Sequence, residues 1–188
     1  MTAARGARLS EVVKSLREDH RNFAVLIELV SAEAASARSG GEPDFELLAD
    51  IMHYMCGYSD VVHHPTEDIV YALLADAGGE YCEGLERVEA EHRELALASQ
   101  QLKDACDAAK SGAVLLRERF VDETQKYVER LGRHIAWEEH ELFPRAERLA
   151  SSTIDVTAVA ADDPLFGPRP DSTFSRLLVR LREEAAQR

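Results

Sequence analysis

The chain has little that is basic, aromatic or thiol-bearing. Lys and Arg number 22 against 35 Asp and Glu, a formal net charge of −13. That balance excludes binding nucleic acid or an anionic membrane by bulk electrostatics. No apolar run approaches the roughly 18 residues of a membrane span. The opening Met1-Thr2-Ala3-Ala4-Arg5-Gly6 has no apolar leader core, so a cytoplasmic protein is expected. The three cysteines, Cys56, Cys82 and Cys106, lie far apart and form no C-x-x-C. They are expected as buried free thiols and do not offer metal-ligand spacing. Aromatics make up only 6% of residues, which leaves Leu, Ala, Glu and Arg to set the fold. That composition favours helices throughout.

At 188 residues the chain suits one domain that buries a sizeable core without disulfide or metal staples. Four stripes keep helical spacing. The first runs Val13, Leu16, His20, Phe23, Ile27 and Val30, with Ser10 as N-cap, and ends at Ser39-Gly40-Gly41-Glu42-Pro43. The second, capped by Asp44, runs Leu48, Met52, Met55, Cys56, Ser59, His63 and Glu67, and Gly78-Gly79 breaks it. The third runs Leu85, Val88, His92, Leu95, Ser99, Leu102 and Cys106 to Ser111-Gly112. The fourth carries Leu116, Phe120, Tyr127, Leu131, His134, Glu138 and Leu142 and meets Pro144. Short connections between long amphipathic helices predict an all-α, antiparallel, up-down-up-down four-helix bundle over residues 1–150. Residues 151–188 form a tail. Its segment 161–170 reads as a loop with an apolar anchor at Leu165-Phe166. A short helix containing Phe174, Leu177, Leu178 and Leu181 then packs on the bundle or on a partner.

A motif occurs twice in this frame. His20 precedes His63-His64-Pro65-Thr66-Glu67, and His92 precedes His134-Ile135-Ala136-Trp137-Glu138. Each half offers a lone His and a His-x-x-x-Glu. Counting from the turns at about 1.5 Å per residue puts all four His within a few ångströms of one depth. The i,i+4 pairs His63/Glu67 and His134/Glu138 stack on one side of their helices, and all six residues fall on apolar stripes. A buried carboxylate there costs several kcal/mol unless paired or metal-bound. His20, His63, Glu67, His92, His134 and Glu138 are therefore the candidate metal ligands. His53, His64 and His140 are expected at the surface or behind the ligands, with His64 and His140 rotated off the ligand face.

Imidazole and carboxylate donors without thiolate suit iron, manganese or zinc, and two Glu able to bridge favour a dinuclear redox metal. Two His and both carboxylates per ion leave room for an oxo or hydroxo bridge and for dioxygen, peroxide or nitric oxide. The ferritin-type pattern needs an E-x-x-H from each of two helices, and Glu89-x-x-His92 is the only instance that includes a candidate ligand.

These residues resemble the hemerythrin-like, or HHE cation-binding, domain across about residues 10–150. The likeness lies mainly in His63-His64-Pro65-Thr66-Glu67-Asp68 and in His134-x-x-x-Glu138-Glu139 running into Leu142-Phe143-Pro144. The segment Asp163-Pro164-Leu165-Phe166-Gly167 is similar to a tail of bacterial relatives. The resemblance implies two non-haem iron ions held by the same six residues. It departs from the oxygen carriers, which place two ligand His four apart on the third helix and an Asp five after the last His. Val88 and Ala96 flank His92 here, and Glu138 lies four after His134. The equal halves resemble instead branches associated with peroxide breakdown, ferrous-iron oxidation, iron sensing or nitrosative repair. The repair branch carries an added Cys-containing N-terminal segment, and no Cys precedes His20. A catalase- or ferroxidase-type enzyme and an iron or oxygen sensor both remain open.

Two neighbours complete the expectations. Pro65 inside a helical pattern removes a hydrogen bond and clashes with the Val61 carbonyl, at a cost of about 3 kcal/mol, which predicts a kink or bulge beside His63. Tyr127, seven before His134 on the same face, is a candidate donor to a bound oxygen species or an electron relay.

Overall fold

The stripes fold as helices that pass one another and bury their apolar faces in two clusters. The computed structural model describes residues 2–151 and 173–188, and side chains from Leu9 onward in the first helix. All regular structure among the described residues is helical. Helix α1 spans Thr2–Arg38. The second long element is composite: α2 Phe45–Tyr54, a π-helical segment π1 Met55–His63, and α3 His64–Ala77. Two short 3₁₀ turns, Gly79–Tyr81 and Leu85–Arg87, lead into α4 Val88–Lys110. The last long element joins α5 Arg117–Trp137, π2 Glu138–Leu142 and α6 Phe143–Ser151, and α7 is Thr173–Ala185. The segment 161–170, including Asp163-Pro164-Leu165-Phe166-Gly167, lies outside the described residues.

Local chemistry sets the boundaries. Asp44 caps α2 as expected, its carboxylate accepting from Leu47 N–H at 3.0 Å. Gly40 ends α1 with φ of +94°, a conformation that favours glycine. The first helix begins well before Ser10, because buried Leu9 and Val12 extend its apolar stripe one turn N-terminally. The last element also runs through Pro144. There π2 precedes the proline by one residue, and Phe143 N–H reaches back five residues to Glu138 O. The same device sits before Pro65: His64 N–H bonds Ser59 O, again five back. A π-helical widening thus stands where a kink or bulge was expected, and the Thr66 hydroxyl donates to Val62 O at 2.6 Å beside it.

Helix α1 packs on α5 and α6, α2 on α4, α4 on α5, and α3 on α6. The larger cluster includes Phe23, Leu48, Met52, Leu95 and Leu131. The smaller includes Val13, Leu16, Val70, Leu142 and Phe143. Each such side chain, fully buried, contributes about 1.5–3 kcal/mol. Between the clusters lies a polar layer. Helix α1 crosses from Leu16 through His20 to Phe23, and α4 from Val88 through His92 to Leu95. The two composite elements cross in the opposite sense, from Met55 past His63 and Glu67 to Val70, and from Leu131 past His134 and Glu138 to Leu142.

Helix α7 lies against α1 and α2. Leu181 is fully buried, and Phe174 packs beside Tyr54 and Tyr58. Arg180 pairs with Asp50 at 2.5 Å, and Arg182 donates to Asn22 at 3.1 Å. Gly57 makes room for this docking, since a methyl group on it would overlap the Phe174 ring. In an ordinary helix Gly→Ala stabilises by about 0.5–1 kcal/mol. Gly57→Ala is expected instead to loosen α7, read as faster amide exchange over 173–185. In a Phe174→Ala background it is expected to stabilise. Unchanged exchange in the single variant would contradict the packing.

Candidate metal centre

Four helical elements deliver the six candidates to one layer, where the four His Nε2 atoms face the two glutamates. Glu67 and Glu138 are 0% exposed. Glu67 Oε1 lies 3.4 Å from His20 Nε2 and 3.1 Å from His63 Nε2, and Oε2 lies 3.5 Å from His92 Nε2. Glu138 Oε2 lies 3.5 Å from His20 Nε2, and Oε1 lies 3.7 Å from His92 Nε2 and 3.1 Å from His134 Nε2. Each carboxylate therefore turns one oxygen toward His20 and the other toward His92.

The other nitrogen of every one of these rings is held by a second carboxylate. His20 Nδ1 meets Glu139 at 2.8 Å, His63 Nδ1 meets Asp19 at 3.1 Å, His92 Nδ1 meets Asp68 at 3.0 Å and His134 Nδ1 meets Glu91 at 2.9 Å. Such a partner fixes Nδ1–H as donor, turns Nε2 inward and raises its basicity. The four clamps follow the doubled motif. The acid before each lone His (Asp19, Glu91) holds the next His-x-x-x-Glu histidine, and the acid after each Glu (Asp68, Glu139) holds the lone His of the other half. Sequence reasoning missed these four. Their signal was an acidic residue directly beside His20, Glu67, His92 and Glu138.

Burial opposes charge here and the neighbours overcome it. Burial lowers His63 and His92, yet Glu67 and Asp19 bring His63 to about 9, and Asp68, Glu138 and Glu67 bring His92 to about 10. His20 and His134 are likewise raised by carboxylates against burial. Burial and Glu67 push Glu138 up, but His134 and His92 hold it down at about 2. Glu67 sits well below the carboxylate range through His63 and His20, again against burial. Six of the facing atoms are nevertheless buried without a hydrogen-bond partner: His20 Nε2, both Glu67 oxygens, His92 Nε2, His134 Nε2 and Glu138 Oε2. Native interiors rarely leave such atoms unsatisfied. A ring of inward imidazole nitrogens and carboxylate oxygens fits cations once those nitrogens release their protons, and donor atoms of two subsets lie within 4.8 Å among themselves: His20, His63, Glu67, and His64, Glu67, His92, His134.

That second subset corrects the expectation for His64. The residue is buried, and its ring stacks on His92 with centroids 4.3 Å apart. The expected rotation off the ligand face assumed α-helical phase, whereas π1 changes the phase just before it. Burial, with His92 and His63 nearby, pushes His64 well below the usual histidine range. His53 and His140 are exposed. Glu89 is exposed and paired with Arg93 at 2.8 Å, away from the layer. Cys106 is buried, Cys56 half-buried, and Cys82 exposed, contrary to expectation, because it follows the turn at Gly79–Tyr81 outside the stripes. Tyr127 lies in the larger core cluster, its hydroxyl pushed up by burial and by Asp60 and Cys56. The tyrosine that touches the layer is Tyr71, whose hydroxyl donates to Glu138 Oε1 at 2.7 Å. It lies four residues after Glu67, so the i,i+4 rule that paired His63 with Glu67 would have found it.

Fold and site together define an all-helical protein with a buried His/Glu cluster suited to metal cations. The model of the hemerythrin HHE cation-binding domain matches residues 11–146, and the chain belongs to that family. No curated protein and no solved structure matches it.

Two outcomes follow from this geometry. Tyr71→Phe removes a hydrogen bond to a buried carboxylate and is expected to cost about 1.5–3 kcal/mol in urea unfolding of the metal-free protein. A change near zero would contradict the contact. His63 and His92, raised to about 9 and 10, keep their protons at neutral pH without metal. Cation binding must displace them, so it is expected to release protons and to tighten as pH rises. Calorimetry in buffers of different ionisation enthalpy reads this, and a proton-neutral titration would contradict it.

Proposed function

We propose that this chain is a non-haem di-iron protein that reacts with a small oxidant such as peroxide, dioxygen or nitric oxide. In this reading residues 1–150 form an antiparallel up-down-up-down bundle and 151–188 a tail. The alternating sense in which successive elements cross between the two apolar clusters supports that topology. The observation that carries the function is the split of both buried carboxylates. Each aims one oxygen at His20 and the other at His92, as a bridge between two ions requires. His20 and His63 would hold one ion, His92 and His134 the other, with Glu67 and Glu138 shared.

Iron bound there would pass electrons to or from the oxidant by cycling between ferrous and ferric states. The chain's own residues keep that chemistry in place. Asp19, Asp68, Glu91 and Glu139 fix the tautomer and aim of each ring. Burial, with Glu138 and Glu67 close by, keeps the Tyr71 phenol protonated, so it remains a donor to Glu138. The apolar clusters on either side exclude bulk water, which strengthens each of these contacts. The reading places the protein in the cytoplasm, where free thiols such as Cys106 stay reduced.

A sensor is the second reading, and one chain of contacts favours it. Phe174 of α7 packs on Tyr58, the Tyr58 hydroxyl donates to Asp19 at 3.1 Å, and Asp19 clamps His63. A change at the metals thereby reaches the docked C-terminal helix.

Anaerobic ferrous loading, followed by oxygen, peroxide or nitric oxide with spectra recorded, tests the function. About two irons per chain and ferric charge-transfer absorption are expected. A colourless, zinc-only or metal-free protein from iron-replete cells would overturn the reading. Peroxide decay that falls strongly in His63→Ala marks an enzyme. Equal slow rates, with protease sensitivity at α7 changing on oxidation, mark a sensor.

A further inference from the structure

The doubled motif predicts equal halves, and one buried histidine breaks the equality. The counterpart of His64 in the second half is Ile135, which cannot ligate. His64 stacks on His92 at 4.3 Å with 14° between ring planes and stands edge-on to His134 at 5.9 Å. Its Nδ1 faces Asp60 at 3.5 Å, beyond the hydrogen-bonded distances of the carboxylates on the other four rings. The Ser59 hydroxyl, 3.4 Å from Nε2, is the other polar neighbour. One donor atom each from His64, Glu67, His92 and His134 fall within 4.8 Å of one another, while the opposite group holds only His20, His63 and Glu67.

We infer that His64 is a fifth imidazole ligand, joining His92 and His134 on one ion and leaving the other ion with His20 and His63. The inference rests on the two-metal reading above. Its structural cause is π1: five-residue hydrogen bonding up to His64 lets two consecutive histidines both enter the interior, where α-helical phase would turn the second about 100° away. The pair of ions is then unsymmetrical.

Cobalt(II) loading of the metal-free protein tests this without turnover. Each ligating ring keeps an Nδ1–H that faces a carboxylate, which cobalt shifts far outside the diamagnetic proton NMR range and which disappears in deuterium oxide. Five such signals are expected from the wild type. His64→Gln is expected to lose one of the five while still binding two cobalt ions. Two bound cobalt ions with only four signals in the wild type would overturn the fifth ligand and leave the two-metal reading standing. Five signals in His64→Gln would also overturn it, and a wild type that binds no cobalt would overturn both.

Discussion

Two ionised glutamates in an apolar interior are the constraint on which this molecule turns. Glu67 and Glu138 are fully buried between two hydrophobic clusters, where an uncompensated carboxylate costs several kcal/mol. Four imidazoles converge on them, and four outer carboxylates hold those imidazoles in turn. The layer is thus organised from its centre outward. Two acids demand positive charge, the rings deliver it as protons or as bound cations, and the outer acids decide how the rings point. The protein's own atoms satisfy the centre only in part, with long His–Glu contacts and six unpartnered buried atoms. Bound cations would give these atoms partners.

Much of this was legible in the chain. Helical spacing, Gly-containing turns and the Asp44 cap marked the long elements. The placement of His20, His63, Glu67, His92, His134 and Glu138 on apolar stripes is what brings them into one layer. Charged residues on such stripes stand out because burial there is costly. The outer clamps did not stand out, because an acid beside a ligand looks like ordinary solvated charge in helices rich in Glu and Arg. Only the fold shows that Asp68 serves His92 in another helix. His64 was hidden for a different reason. Apolar periodicity assumes one helical phase, and the two π segments change that phase locally. The prolines two residues after each segment, Pro65 and Pro144, were the visible trace.

The doubled motif gains a sharper meaning from these departures. Equal halves are where the sequence departs from the oxygen-carrier pattern. Yet the halves are equal only at the six shared positions. His64 faces no partner histidine, and Tyr71 has Leu142 at the corresponding place. A nearly two-fold scaffold carrying two one-sided groups would give two bound ions different surroundings. Helix α7 adds a third asymmetry, reaching His63 through Tyr58 and Asp19 and having no counterpart near His134 among the described residues.

The central claim is that the buried Glu67/Glu138 pair exists to hold two metal ions. An anomalous-difference map collected at the iron edge, from crystals of protein grown in iron-replete cells, tests it most directly. The expected map has two peaks in the layer, one beside His20 and His63 and one beside His92 and His134, with both glutamates between them. A map with no peak there, or with a single ion and the carboxylates turned away from it, would contradict the claim.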